Sequence, residues 1–219
     1  MASQDKIKVA VRVRPFNKRE IAMGTAQSIV KIVGNQTLLH HPDGEDLNKI
    51  PKSFTFDNCF NSLDAGSPDF ATQSHVFGAV GEDILNNAFQ GYNACIFAYG
   101  QTGSGKSYSM MGSTEEPGII PRLCISLFDR VAKPESTQFG DANVEVSYME
   151  IYNEKVFDLL DMTSNKSGLK VREHHLLGPY VDGLSKLAVT SFQVWFLNRE
   201  FYQIFLVGHV RNVFGFRPF

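Results

Sequence analysis

The sequence predicts an α/β fold, a mixed central sheet flanked by helices. Segments with a period of two alternate with segments whose apolar residues recur every three or four positions. Between them lies Ala94-Cys95-Ile96-Phe97-Ala98-Tyr99, apolar throughout and without alternation, the pattern of a central strand covered on both faces. That run leads directly into a glycine-rich loop.

The elements follow in order. Ile7, Val9, Val11 and Val13 alternate with Lys8, Ala10, Arg12 and Arg14, which predicts a half-buried strand closed by Pro15. Ile29 to Val33 and Thr37 to His40 form a hairpin across Gly34-Asn35-Gln36, whose first two residues tolerate positive φ. Ser53 to Phe56 is a short strand, and Asn61 to Ser67 is rich in turn formers. From Gln73 to Phe89 the positions Val76, Phe77, Val80, Ile84, Leu85 and Ala88 mark an amphipathic helix. Ile119 to Val131 reads as a helix started by Pro121. Val144, Val146, Tyr148 and Ile151 indicate a long strand, followed by a helical turn near Lys155 to Leu160. Leu169 to Glu173, Tyr180 to Val181 and Leu187 to Val189 are short strands separated by Gly178-Pro179 and Asp182-Gly183 turns. No internal repeat or low-complexity linker interrupts the chain, so one domain is the simplest count.

Composition bounds the function. With 219 residues, a net charge of −2, 43% hydrophobic and 20% charged residues, the chain is neither a disordered acidic segment nor a uniformly basic nucleic-acid binder. Cys59, Cys95 and Cys124 are odd in number and widely spaced, which speaks for free thiols in a reducing compartment rather than a disulfide framework or zinc site. Met1 to Lys8 lacks the apolar core of a secretion signal. Val194 to Val210, the most apolar stretch, is interrupted by Asn198, Arg199 and Glu200, so no membrane insertion is expected. The last 26 residues nevertheless stand apart: they hold six of the 18 phenylalanines, the only tryptophan and one acidic residue.

The chemistry is in Gly100-Gln101-Thr102-Gly103-Ser104-Gly105-Lys106-Ser107, which satisfies G-x-x-x-x-G-K-[ST] after an apolar strand and before a helix. Glycines at 100, 103 and 105 let backbone N–H groups turn inward toward phosphate oxygens. Lys106 supplies a point charge for the β- and γ-phosphates, the helix start adds its positive dipole end, and Ser107 offers a hydroxyl to Mg²⁺. A P-loop NTPase-type sheet with a nucleoside-triphosphate site is the reading these residues support. The base-reading N/T-K-x-D of guanine enzymes does not occur.

Phe97 to Tyr108 with Met110-Met111-Gly112 resembles the phosphate-loop signature of kinesins. So do Val11-Arg12-Val13-Arg14-Pro15 and Phe54-Thr55-Phe56-Asp57, while VEVSYMEIYNEKVFD (144–158) and VREHHLLGPYVDGLSKL (171–187) are similar to the cargo-transporting kinesin-three subfamily. The resemblance covers residues 6–193 and implies the kinesin motor fold, ATP and Mg²⁺ as cofactors, microtubules (tubulin) as partner, and a place in the cytoplasm on the cytoskeleton. It implies that adenine lies against Arg12, Arg14, Pro15 and Tyr108, whose guanidinium, ring and phenol surfaces suit a purine. By themselves the two arginines read as a solvated strand face. His174 and His175 fall where kinesins have a tubulin-touching loop, although as residues they read simply as exposed.

The resemblance also has gaps. Kinesins carry a switch N-x-x-S-S-R-S-H and a second, D-L-A-G-S-E, that sense the γ-phosphate and Mg²⁺; no Ser-Ser dipeptide occurs here, and Asp64-Ala65-Gly66-Ser67 lies upstream of the loop and reads as a turn. The motor fold is therefore expected to be incomplete, with residues 1–193 its N-terminal portion and 194–219 a divergent aromatic tail. No catalytic residue is assigned, and nucleotide binding should far exceed hydrolysis. The alternative is a non-motile nucleotide-binding or regulatory truncation product. The strands flanking Ala94 to Tyr99 in such a fold are expected to be missing, which leaves an unpaired apolar edge.

Overall fold

The structure, a computed structural model, describes residues 7–24, 27–42, 50–132, 143–161, 168–175 and 178–189, with the backbone of 205–211. The chain divides into two compact units: residues 1–82 with 98–119, and 83–97 with 120–219.

In the first unit β1 (Ala10–Val13) runs parallel to β5 (Asn58–Asn61), a pairing that links residues 48 apart. Asp57, from the Phe54-to-Asp57 motif, accepts the Val9 N–H at 2.7 Å and so anchors the entrance to β1. The predicted hairpin forms from β2 (Val30–Val33) and β3 (Gln36–Leu39), with Gly34 and Asn35 as a two-residue loop and Gly34 at φ 56°. Its third strand is β4 (Lys52–Thr55). Helix α1 (Lys18–Ala22) has no periodic apolar signal; it is set by a capping box in which Asn17 and Glu20 satisfy each other's backbone N–H. Asp64 to Ser67 is a turn as expected, closed by Gly66 N–H donating to Asp64 Oδ1 and Ser67 N–H to the Asp64 carbonyl. Helix α2 (Gln73–Phe89) has the predicted bounds and belongs to this unit as far as Glu82, its remaining residues to the second; its N-terminus is closed by Thr72, whose Oγ1 accepts from His75 N–H while His75 Nδ1 accepts from Thr72 N–H. The glycine loop ends in α3 (Lys106–Met110).

The second unit contains α4 (Ile119–Val131), apart from its first residue, and a sheet in the order β10 (Leu187–Val189), β6 (Asn143–Tyr152), β11 (Phe205–Arg211). Alternation along β6 buries Val144, Val146 and Tyr148; with Val189 the two valines form a small core against Leu127 and Phe128 of α4. The helical turn expected near 155–160 is instead β7 (Lys155–Asp158), antiparallel to β6. Asn153 and Glu154 adopt φ of 49° and 62°, so the chain reverses in two residues and pairs Tyr152 with Lys155 before any helix can start. Asp158 is buried at the end of β7, and its carboxylate accepts from the backbone N–H groups of Leu160 and Ser185 at 2.8 and 2.7 Å. Finally, β8 (Val171–His174) and β9 (Gly178–Val181) form a hairpin, so Gly178 and Pro179 belong to a strand and not to the turn assigned to them.

The central strand is the main correction. Residues 94–99 adopt no strand, no described segment pairs with them, and Phe97 and Tyr99 are 72% and 96% exposed. A strand is defined by its neighbours' hydrogen bonds, so apolar composition alone cannot make one. The unpaired state of this segment was expected; its lack of strand geometry was not. Of the aromatic tail, only β11 is described, and it adds to β6 from Phe205 opposite Met149 to Arg211 opposite Asn143, not to the 94–99 segment.

Candidate functional site

Gly100 to Ser107 forms a tight loop in which Gly100, Gly103 and Gly105 have φ of 152°, 78° and 94°. Gly105 is the N-cap of α3 in left-handed geometry, a conformation that an L side chain rarely adopts, which is why the motif needs glycine immediately before lysine. At Gly100 a Cβ would come within 2.5 Å of Ser104 Oγ, so a side chain there would force the Ser104 hydroxyl to turn away. Ser104 N–H donates to the Gln101 carbonyl at 3.1 Å and fixes the bend, while Thr102 is exposed at its tip.

Lys106 turns its ammonium back onto the loop, donating to the carbonyls of Gly100 at 2.8 Å and Gln101 at 2.9 Å. These bonds hold a positive charge beside the loop's backbone, with no carboxylate paired to it among the described residues, an arrangement open to phosphate oxygens in exchange for the two carbonyls. Ser107 is exposed on the first turn of α3, and its carbonyl accepts from Met111 and Gly112 N–H. With five residues, α3 contributes little dipole; the loop N–H groups and Lys106 dominate.

The R-x-R-P strand is brought to this loop. Arg14 lies with its aliphatic stem beside Gly105, whose Cβ would be 3.8 Å from Arg14 Cβ and Cδ. Its guanidinium forms a fork with Glu20, NH1 and NH2 donating to the two carboxylate oxygens at 2.8 and 2.7 Å, and NH1 also bonds the Pro15 carbonyl. The fork raises the Arg14 pKa and lowers that of Glu20 to about 2. Arg12 is turned inward instead. Its Nε donates to Ser62 Oγ at 2.9 Å, NH1 to Gln73 Oε1 at 2.7 Å and Ser109 Oγ at 3.1 Å, with the Tyr108 ring centroid 5.3 Å from its guanidinium carbon. Burial pushes the Arg12 pKa below its ordinary value against the opposing pull of Tyr108 and Glu116. The strand is therefore not a uniformly solvated face: one arginine braces the interior and the other lines the loop.

The sequence did not single out Glu20, Ser62, Gln73 or Ser109 as members of this cluster. Glu20 was readable in principle from Asn17-x-x-Glu20. The other three meet Arg12 across 50, 61 and 97 residues, a separation no local pattern encodes. Elsewhere, His174 closes β8 with its ring stacked on His175 at 4.7 Å. The three cysteines are free, and among the described residues no group of three or more His, Cys, Asp or Glu is placed to hold a metal. No described helix is long and apolar enough to cross a membrane.

The family profile for the kinesin motor domain matches residues 12–198. The kinesin-like protein KIF13A of Mus musculus is 58% identical over 195 residues, covering 87% of this chain and 11% of the relative. KIF13B of Homo sapiens is 56% identical over 194 residues, 86% of this chain and 10% of the relative, and unc-104 of Caenorhabditis elegans is 51% identical over 189 residues, 85% and 12%. Among solved structures, that of KIF14 with ADP in complex with a microtubule aligns with a TM-score of 0.78 at 45% identity, covering 88% of this chain and 53% of that one. The chain thus spans about a tenth of the curated relatives' length and about half of the solved chain.

Proposed function

The chain belongs to the kinesin motor domain family, and from that premise we propose that residues 100–107 hold Mg-ATP in the head of a microtubule motor. Residues 1–193 belong to the N-terminal portion of that head, and the departure from the family follows the end of the profile match at residue 198. The observation that carries the reading is the loop itself: left-handed Gly105 before Lys106, whose ammonium already bridges two loop carbonyls, with Arg14 alongside. Its residues suit Mg-ATP: the loop N–H groups and Lys106 take the phosphates, and Ser107 offers a hydroxyl to Mg²⁺, which would shield phosphate charge. Tyr108, with Arg14 and Pro15, offers the purine a surface at the loop's edge. Support for the microtubule as partner comes from the relatives, since the solved KIF14 is in complex with one.

These 219 residues contain neither N-x-x-S-S-R-S-H nor D-L-A-G-S-E. Phosphoryl transfer is accelerated by positioning and charge stabilisation, so a loop without groups to orient water retains nucleotide and turns it over at the background rate. Calorimetry should detect Mg-ATP binding to this chain, and Lys106→Ala should weaken it about 10- to 100-fold through loss of a charged hydrogen-bond donor. An unchanged affinity in that variant would remove the loop from the proposal. Steady-state hydrolysis should not rise when microtubules are added; a motor-like rate would overturn the separation of binding from turnover. The junction is checked by reading transcripts across the Gln193 codon, where continuation into a frame encoding N-x-x-S-S-R-S-H is expected for the motor. If transcripts carrying such a frame are never found, the motor reading is withdrawn and the non-motile alternative stands.

A further inference from the structure

The geometry points to Gln73 as a positioning residue that fixes the purine-facing side of the site, an inference that rests on the nucleotide reading above. Gln73 is 1% exposed, the most buried side chain of its size described, and it is polar. Burying an amide without partners is costly, so its hydrogen bonds define what it is for. Oε1 accepts from Arg12 NH1 at 2.7 Å. On the other side Nε2 donates to the main-chain carbonyl of Tyr108 at 2.6 Å and reaches the Glu116 carbonyl at 3.4 Å. One side chain thus ties the guanidinium that lies over the Tyr108 ring to the backbone that carries that ring.

The consequences differ for the two halves of a nucleotide. The phosphate loop and Lys106 are held by bonds internal to residues 100–106, none of which involves Gln73. Tyr108 and Arg12 are oriented by it from both sides. Ser62 also bonds Arg12 and donates its own hydroxyl to the Ala71 carbonyl at 2.6 Å, so the arginine is held from the start of α2 as well as from the residue after β5 and from α3. Removing the amide frees the aromatic surface while leaving the phosphate cradle standing.

The test compares two ligands on one protein. Mg-ATP and Mg-tripolyphosphate are titrated calorimetrically into the wild-type chain, Gln73→Leu and Gln73→Glu. Leucine is close to glutamine in volume and removes all three bonds; glutamate keeps the acceptor for Arg12 but turns a carboxylate oxygen toward the Tyr108 carbonyl. Both variants should lose about tenfold in ATP affinity, the scale of one good hydrogen bond to a charged or aligned group, and less than twofold in tripolyphosphate affinity. The loss should shrink when Tyr108→Ala is combined with either variant, because the surface being positioned is then absent. If Gln73→Leu fails to fold by circular dichroism, Gln73→Glu decides the matter. Parallel loss of both ligands, or loss of neither, overturns the positioning role while wild-type ATP binding leaves the nucleotide reading intact. Failure of the wild-type chain to bind either ligand overturns that reading and the inference with it.

Discussion

Glu20 is half-exposed, and its carboxylate receives three donors, two from Arg14 and one from the Asn17 backbone at 2.8 Å. The Arg14 fork is the larger cause of a pKa lowered from 4.5 to about 2. Because folding lowers this pKa, the stabilisation is complete above the unfolded value and disappears as pH falls through the folded one, between about 4.5 and 2. Following the Glu20 side-chain carboxyl by NMR should give a midpoint near 2, and Arg14→Ala should move it upward; a wild-type midpoint at the ordinary glutamate value would mean that the fork does not persist in solution. Cys124 shows the opposite influence. Burial on α4 raises its thiol to about 12, so at pH 8 it stays protonated, and iodoacetamide followed by peptide mass mapping should label exposed Cys95 well before Cys124. Equal labelling of the two would contradict the packing around α4. At this scale the sequence singles out Lys106 and Ser107 as candidates, because their motif is contained within eight positions, but not Gln73, whose partners lie 35 to 61 residues away.

The same distinction governs the elements. Both long helices keep the bounds read from their periodicity, since helical hydrogen bonds span four residues and the apolar stripe is written locally. By contrast, β5 is spelled Asn-Cys-Phe-Asn, which carries no strand pattern, and only its last residue, Asn61, falls in the stretch read as turn-rich; its parallel partner β1 makes it a strand. The β6–β7 reversal was missed because Asn153-Glu154 lacks the glycine expected of a turn with two positive φ values. Glutamate at φ 62° is strained, and Glu154→Gly should therefore stabilise the chain by about 1 kcal/mol, less what glycine's greater freedom in the unfolded state takes back. Urea denaturation followed by fluorescence measures this, and a lower midpoint in the variant would show that the reversal is not a two-residue turn in solution. For α1 the sequence signal is the capping box, and Asn17→Ala should cost about 1 kcal/mol locally, visible as faster amide exchange at Glu20 and Ile21. Unchanged exchange would place the helix's stability elsewhere, in the Arg14 fork.

Over the whole molecule, two compact units meet in sequence at residues 97 and 98, inside the most apolar run of the motor-like region. Composition alone assigned that run to a sheet interior. It forms no strand because the described strands sort into four separate sheets and none of them pairs with it. From Tyr92 to Gly100 there is no charged residue and no proline, and Tyr92, Phe97 and Tyr99 all stand largely in solvent. A short uncharged segment of aromatic and β-favouring residues with free backbone groups is the pattern that pairs with copies of itself. Nearby charges do not protect it, because the overall net charge of −2 provides little long-range repulsion between molecules. The chain should accordingly self-associate as its concentration rises, and Phe97→Lys, which places a charge at the centre of the run and lies three residues before the phosphate loop, should shift the onset to higher concentration. Light scattering coupled to size exclusion separates the outcomes. A wild-type chain that stays monomeric across the accessible range would show that the 94–99 run is covered in solution, and an unchanged onset in the lysine variant would locate the sticky surface elsewhere.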